Sequence, residues 1–175
     1  MALMVAHEVP TSSTMAVPHG PAGVGAARRR LRRDLGDHEV AETVIDDAVL
    51  ILSELLSNSC RYARPLGRLA DLKDDAPAPV PAPVLVGVRS AEDGEPGGVT
   101  VRWVLSGQGQ LVLEVTDGGA VTRPTPARPS LTSRGGRGLT IVGRLADDWG
   151  VRDAPGQVTV WAELPLRAEH GARSA

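Results

Sequence analysis

The stretch ELLSNSCRYA, residues 54–63, ends a helical pattern of apolar residues that decides how the chain folds. The spacing predicts a helix from about Glu39 to Arg64, with Asp37 as its N-cap and Pro65 just after its end. One face of this helix is expected to pack on the core, and it is formed by Ile45, Val49, Leu52, Leu56, Ser59 and Ala63.

Two polar residues of the same stretch, Glu54 and Asn58, lie on roughly the opposite face of the predicted helix. Residues four apart share a helix face, because each residue rotates the chain by about 100°. Asparagine has a poor helix propensity, so a face that only meets water would be expected to carry Lys, Glu and Arg instead. The pair either binds a ligand or faces solvent, and the remaining sequence has to decide between these two interpretations.

Composition and charge restrict the class of protein. The chain has 175 residues, and its formal net charge of −2 argues against a general nucleic-acid binder. Cys60 is the only cysteine, which excludes an intramolecular disulfide and fits a reducing compartment. No apolar run reaches the roughly 18 residues of a membrane span, and the N-terminus lacks the pattern of a secretion signal. We therefore expect a cytoplasmic protein that contacts neither a membrane nor nucleic acid.

Alternation of apolar and polar residues predicts most of the strands. Residues 99–105 and 111–115 alternate around a glycine-containing turn and are expected to form a β-hairpin. Two further antiparallel strands are expected near the end of the chain, joined by a turn at Pro155 and Gly156. Residues 3–17 suit an edge strand or a loose arm.

Two more helices are predicted, at residues 21–35 and 138–148. The first carries a basic face formed by Arg28, Arg29, Arg30, Arg32 and Arg33. This face is either a docking surface for an acidic partner or simply a solvated helix face. Together with the strands, the helices predict an α+β fold with two layers, in which helices cover one face of a mixed, mostly antiparallel sheet.

Two segments interrupt this regular pattern. Residues 64–98 are rich in Pro, Ala, Gly and acidic residues, and they are interpreted as a flexible surface insertion with one short strand at VLVGVR. Residues 119–137 lack periodicity and form a long loop of the kind that often acts as a lid. The chain 1–175 is therefore expected to be a single domain with its core at about 21–165.

Three short motifs occur in a fixed order along the chain: Glu54-x-x-x-Asn58 on a helix, Asp117-Gly-Gly119 after a strand, and GGRGL at 135–139 before a helix. Together with the final GQVTVWAEL, they resemble the GHKL family of ATPases, most closely the bacterial anti-sigma-factor serine/threonine kinases. The resemblance covers about residues 21–165 and implies a Bergerat-type fold with a flexible ATP lid.

The resemblance implies that the cofactors are ATP and Mg²⁺, and it implies a role for each residue of the first two motifs. Asn58 would be an oxygen ligand of Mg²⁺, a hard cation. Glu54 would be the catalytic general base that acts on the attacking hydroxyl, directly or through water. Asp117 would accept a hydrogen bond from the adenine amino group, and Gly119 would let the backbone pass close to the base.

The third motif and the last strand complete the implied nucleotide site. Gly136, Arg137, Gly138 and Leu139 would lie at the lid, where backbone amides and a helix N-terminus approach the phosphates. Thr159 matches a family threonine near the adenine. Four departures make phosphoryl transfer a weaker inference than nucleotide binding. Tyr62 stands where the family often has histidine, and Val121 replaces the last glycine of a fuller Asp-x-Gly-x-Gly. The lid has no lysine, and residues 64–98 are longer than the usual connection.

The resemblance implies a protein serine/threonine kinase that phosphorylates an antagonist protein and sequesters a sigma factor, and relatives commonly form homodimers. One alternative is an ATP-binding regulatory module that transfers no phosphate. Another is the catalytic domain of a histidine kinase, for which His38-Glu39 is the only candidate acceptor and lies at a helix start without room for a helical hairpin.

Overall fold

The computed structural model describes residues 10–73, 96–107, 109–120 and 136–166. Six strands in these residues form one sheet: β1 (Thr11–Pro18), β2 (Gly67–Arg68), β3 (Gly97–Ser106), β4 (Gln110–Asp117), β5 (Asp148–Ala154) and β6 (Gln157–Pro165). The described helices are α1 (Pro21–Asp37), α2 (Glu42–Tyr62), α3 (Leu69–Lys73) and α4 (Gly136–Leu145).

The sheet has the order β1-β3-β4-β6-β5, and β2 pairs with the start of β3. Helices α1, α2 and α4 pack on one of its faces, which confirms the predicted α+β sandwich. Every strand pairing in the described residues is antiparallel, whereas the sequence predicted a mixed, mostly antiparallel sheet. Consecutive strands pair as hairpins in β3–β4 and β5–β6, whereas β1–β3 and β4–β6 pair across intervening elements and are antiparallel as well.

The core forms where the helices meet the inner face of the sheet. Residues of β4 alternate between buried and half-buried, as a strand with one covered face requires. Trp103 of β3 is the largest fully buried side chain of the described residues, in a protein that has no phenylalanine. On α2 the buried positions include Ile45, Val49, Leu52 and Leu56, so the predicted apolar face is confirmed.

The connection between α1 and α2 differs from the prediction. Asp37 is the last residue of α1 and does not cap α2, because the buried positions Leu31 and Leu35 extend α1. Glu39 then turns the chain with a φ of 55°. Helix α2 starts after Ala41, which offers no side-chain cap.

The interpretation of residues 64–98 as a flexible insertion is wrong for its first ten residues. The backbone N–H of Leu66 donates to the carbonyl of Gly98 (2.8 Å), and Gly67 pairs with Gly98 in the sheet. Leu69 is buried, at 9% exposure, and α3 follows it. Hydrogen bonds to neighbouring strands, rather than composition, therefore decide the structure at 64–73. At its other end, Gly97 and Gly98 belong to β3. Residues 74–95, including the predicted strand at VLVGVR, lie outside the described residues.

The remaining elements agree with the sequence analysis. Residues 11–18 form an edge strand of the described sheet, and β5 and β6 are joined by the predicted turn at Pro155 and Gly156. Helix α4 buries Leu139 and Val142, and it ends at Leu145 instead of residue 148, where β5 begins. The predicted lid falls almost entirely outside the described residues. No helix in the described part of the chain has both the length and the apolar character of a membrane span.

Candidate functional site

Asp117 is a carboxylate buried at the end of β4. Leu111, Leu113 and Val115 point into the core from the same strand, and strand alternation places Asp117 on the same face with 5% exposure. The backbone N–H of Gly119 donates to Asp117 Oδ1 at 2.8 Å, which fixes the carboxylate within a tight turn. An ionised carboxylate only accepts hydrogen bonds, so this position suits a group that donates one.

The end of α2 is tied to the residues that follow Asp117. The backbone N–H of Arg64 donates to the Gly119 carbonyl (2.9 Å), and the Gly118 N–H donates to the Arg64 carbonyl (2.9 Å). A Cβ on Gly118 would lie 2.4 Å from the Pro65 carbonyl oxygen, so only glycine allows this approach. Gly119 has a φ of 76°, which also favours glycine. The last turn of α2 and Asp117 therefore lie at the same end of the helix–sheet interface.

Glu54 and Asn58 are half-buried on α2, one turn apart. The Nδ2 atom of Asn58 is buried and has no hydrogen-bond partner in the described residues, and the Oγ atom of Ser59 is in the same condition. An unpaired buried polar group costs about 1–3 kcal/mol. Two such groups on consecutive residues are typical of a site that a ligand completes, and an amide and a hydroxyl suit the polar atoms of a nucleotide.

The thiol of Cys60, in the last turn of α2, is half-buried. Burial raises the pKa of the Cys60 thiol, and the negative charge of Asp117 raises this pKa further. The thiol is therefore kept protonated near the carboxylate.

The third motif lies at the start of α4. The helix begins at Gly136, and its N-terminal turn contains Arg137 and Gly138. The side chain of Leu139 is 8% exposed and belongs to the core, where α4 packs against α2. Helix α4, whose N-terminus is the positive end of its dipole, thus packs against the helix that carries Glu54 and Asn58.

Thr159 is not brought to Asp117. Its strand register pairs it with Thr116, and the two hydroxyl oxygens are 2.8 Å apart. Cross-strand partners share a face and neighbours along a strand alternate, so Thr159 lies on the sheet face opposite Asp117. Val158 is the residue that pairs with Asp117, and its Cγ2 lies 3.1 Å from where a Cβ of Gly119 would be.

Sequence reasoning missed several residues of this region. Ser59 was assigned to the core face and Cys60 only to the redox compartment, because their proximity to Asp117 depends on how α2 lies on the sheet. His19 was also missed, although its Nε2 lies 3.1 Å from the carbonyl oxygen of Ser59. Gly118 carried a usable signal, since two consecutive glycines after a strand indicate a close approach of backbone as well as a turn.

Comparison with known proteins agrees with this geometry. Residues 87–164 match the family described as the histidine kinase-like ATPase domain, and this match confirms the resemblance to the GHKL ATPases. The matched range contains Asp117, Gly119 and the start of α4, whereas Glu54 and Asn58 precede it. No curated protein matches the chain by sequence.

Two solved structures share the fold. The structure of the RsbU and RsbW domains of Rv1364c from Mycobacterium tuberculosis has a TM-score of 0.55 and 16% identity over 90% of this chain. This chain covers 32% of that one, about a third of its length. The structure of the SiaB–SiaC complex from Pseudomonas aeruginosa has a TM-score of 0.53 and 13% identity to this chain. The match covers 87% of this chain and 88% of the matched chain.

Proposed function

We propose that this chain is an ATP- and Mg²⁺-dependent protein serine/threonine kinase of the anti-sigma-factor type, acting in the cytoplasm. It would phosphorylate an antagonist protein and sequester a sigma factor. The observation that carries the proposal is the pair of unpartnered polar groups on Asn58 and Ser59, at the same end of the interface as the buried Asp117. The match to an ATPase family supports it, as does the fold shared with part of the chain that holds RsbU and RsbW domains and with the SiaB–SiaC structure.

The residues present fit a nucleotide with its cation. The described residues contain no cluster of three His, Cys, Asp or Glu side chains, so a cation here would be held by few protein ligands. Mg²⁺ suits that arrangement, because it keeps several waters and binds through substrate phosphates. Bound Mg·ATP would supply the phosphoryl group, Asn58 would hold the cation, and Asp117 would hold the base.

The remaining residues have proposed roles in positioning and proton transfer. Glu54 lies one turn before Asn58 and has no hydrogen bond or ion pair to another described residue. As general base it would take the proton of the attacking serine hydroxyl. Gly136 and Gly138, with Arg137 between them, would place backbone amides of the α4 N-terminus near phosphate oxygens, and Leu139 would fix that turn on the core.

Incubation with labelled ATP tests the proposal directly. The purified chain is mixed with candidate antagonist proteins encoded nearby, and the label is followed into phosphoserine or phosphothreonine. Transfer that requires Mg²⁺ supports the kinase function. Tight ATP binding without transfer to any antagonist supports the regulatory module instead, and label on a histidine of this chain supports a histidine kinase.

Asn58→Ala is expected to weaken the binding of Mg·ATP by about tenfold or more, because even side chains that only orient metal ligands are typically worth about 10- to 100-fold in metal affinity. Binding of ATP in the presence of a chelator should change much less. Calorimetric titration with and without Mg²⁺ measures both effects. An equal loss under the two conditions would show that Asn58 has a structural role only.

The basic face of α1 is proposed to receive the protein partner. Arg30 pairs with Asp34, while Arg32 is drawn toward α2 by Glu42 and Asp46, each at 2.6 Å. Three exposed arginines make no ion pair in the described residues, and they are Arg28, Arg29 and Arg33. A shallow groove between α1 and α2 is lined by Gly25, Arg28, Arg29, Arg32 and Val49. Charges without intramolecular partners favour an acidic surface on the partner.

Arg28→Glu is expected to slow association with an acidic partner by roughly tenfold at low salt, since surface charges act mainly on the association rate. The difference should shrink at high salt because of screening. Surface plasmon resonance at two ionic strengths measures both effects, with Arg144→Glu on α4 as the charge-matched control. Equal rates for the two variants would remove the α1 face from partner binding.

A further inference from the structure

Polar side chains are rare in the buried part of this protein. Among the described residues, the buried side chains are apolar except for Ser59 and Asp117, and both are 5% exposed. Both lie close to the backbone bridge that joins Ala63 to Ala120, since Ser59 is four residues before the first and Asp117 three before the second. The two polar groups are therefore at one end of the interface between α2 and the sheet.

The hydroxyl of Ser59 is unusual because a helix offers serine an easy partner. Ser53, on the same helix, donates from its Oγ to the Val49 carbonyl four residues earlier at 2.6 Å. Ser59 Oγ makes no such bond and no other in the described residues. The backbone carbonyl of Ser59, in contrast, is used twice, by His19 Nε2 (3.1 Å) and by the Ala63 N–H (3.0 Å). The carbonyl of Ser59 is therefore satisfied, whereas its hydroxyl has no hydrogen-bond partner in the described residues.

We propose that the Ser59 hydroxyl is a specificity-determining group that donates a hydrogen bond to a ring nitrogen of adenine. The inference rests on the proposed nucleotide site and goes beyond it by adding a second protein contact to the base. In adenine the amino group proposed to bind Asp117 is flanked by two acceptors, N1 and N7. A serine hydroxyl can donate to either while Asp117 accepts from the amino group.

The arrangement accounts for the lack of a partner in the ligand-free protein. An unpaired buried hydroxyl reduces stability, whereas the same hydroxyl gains a bond when the base binds. Ser59→Ala is therefore expected to have opposite effects on folding and on binding. The ligand-free variant should melt a few degrees higher, and alanine also has the better helix propensity. Its affinity for ATP should fall by about 3- to 10-fold, the usual range for one neutral hydrogen bond.

Calorimetric titration with ATP and thermal melting test these effects, with Ser53→Ala as the control variant. The control removes a hydroxyl that already has a partner, so its affinity for ATP should equal that of the wild type. Unchanged ATP affinity in Ser59→Ala would overturn the proposal. Failure of the wild-type protein to bind ATP at all would instead overturn the nucleotide site on which the proposal rests.

Two ATP analogues identify the bond itself. The 1-deaza and 7-deaza analogues each lack one of the two ring acceptors, so one of them should bind the wild type about 3- to 10-fold more weakly than ATP. In Ser59→Ala that analogue and ATP should bind equally, because the donor is already absent. If both analogues lose as much affinity in the variant as in the wild type, Ser59 does not contact the base.

Discussion

Glu54→Gln is expected to bind Mg·ATP with wild-type affinity and to transfer phosphate about 10²- to 10⁴-fold more slowly, the usual contribution of a general base. Glutamine keeps the size of the side chain and one acceptor oxygen, but it cannot take a proton. Glu54 is half-buried and one helical turn from Asn58, so a base at this position would lie next to the cation and the phosphates.

The measurement compares initial rates of phosphoserine formation on the antagonist under saturating ATP, together with ATP affinities from calorimetry. Asp47→Asn is the matched control, because Asp47 is an exposed acidic residue on the same helix. Its rate should stay close to that of the wild type. A rate for Glu54→Gln within threefold of the control would exclude Glu54 as the base, whereas a parallel loss of ATP affinity would indicate a role in binding.

Periodicity was a good guide to the helices and strands of this chain, because one buried face per element leaves a readable pattern. The apolar face of α2 and the hairpin of β3 and β4 follow from that pattern alone. The structure of residues 64–73 could not be predicted from such a pattern, since it depends on hydrogen bonds to residues 97–98 and 118–119, far away in sequence. Composition describes the local cost of order and does not include such partners.

In the candidate site, too, some features could be predicted from the sequence and others could not. Glu54 and Asn58 are on one helix, so their shared face followed from the spacing. The position of Thr159 depends on the register between β4 and β6, and a shift of one residue moves a side chain to the other face of the sheet. The buried hydroxyl of Ser59 became visible only when its missing partner could be seen. A sequence pattern indicates which face a residue occupies, but not whether its polar atoms are satisfied.

Discrimination between ATP and GTP is the second large effect that we expect, and it depends on Asp117. An ionised carboxylate only accepts hydrogen bonds, whereas adenine presents an amino donor at position six and guanine a carbonyl oxygen. In a site where Asp117 is 5% exposed, GTP would bring two acceptors together without water between them. The lost bond costs about 1–3 kcal/mol, and more for a charged group. The wild type should therefore prefer ATP by at least roughly 10- to 100-fold.

Asp117→Asn should lose much of this preference, and the structure indicates why. The Gly119 N–H already donates to Asp117 Oδ1 at 2.8 Å, and an asparagine would keep its oxygen there. Its NH₂ group would then replace the other carboxylate oxygen and could donate to the guanine carbonyl. Titration of both variants with ATP and GTP measures the change, and Asp153→Asn, exposed on β5, is the control that should keep the wild-type preference. If the wild type binds GTP as tightly as ATP, Asp117 does not read the base, and its bond to Gly119 is only part of a turn.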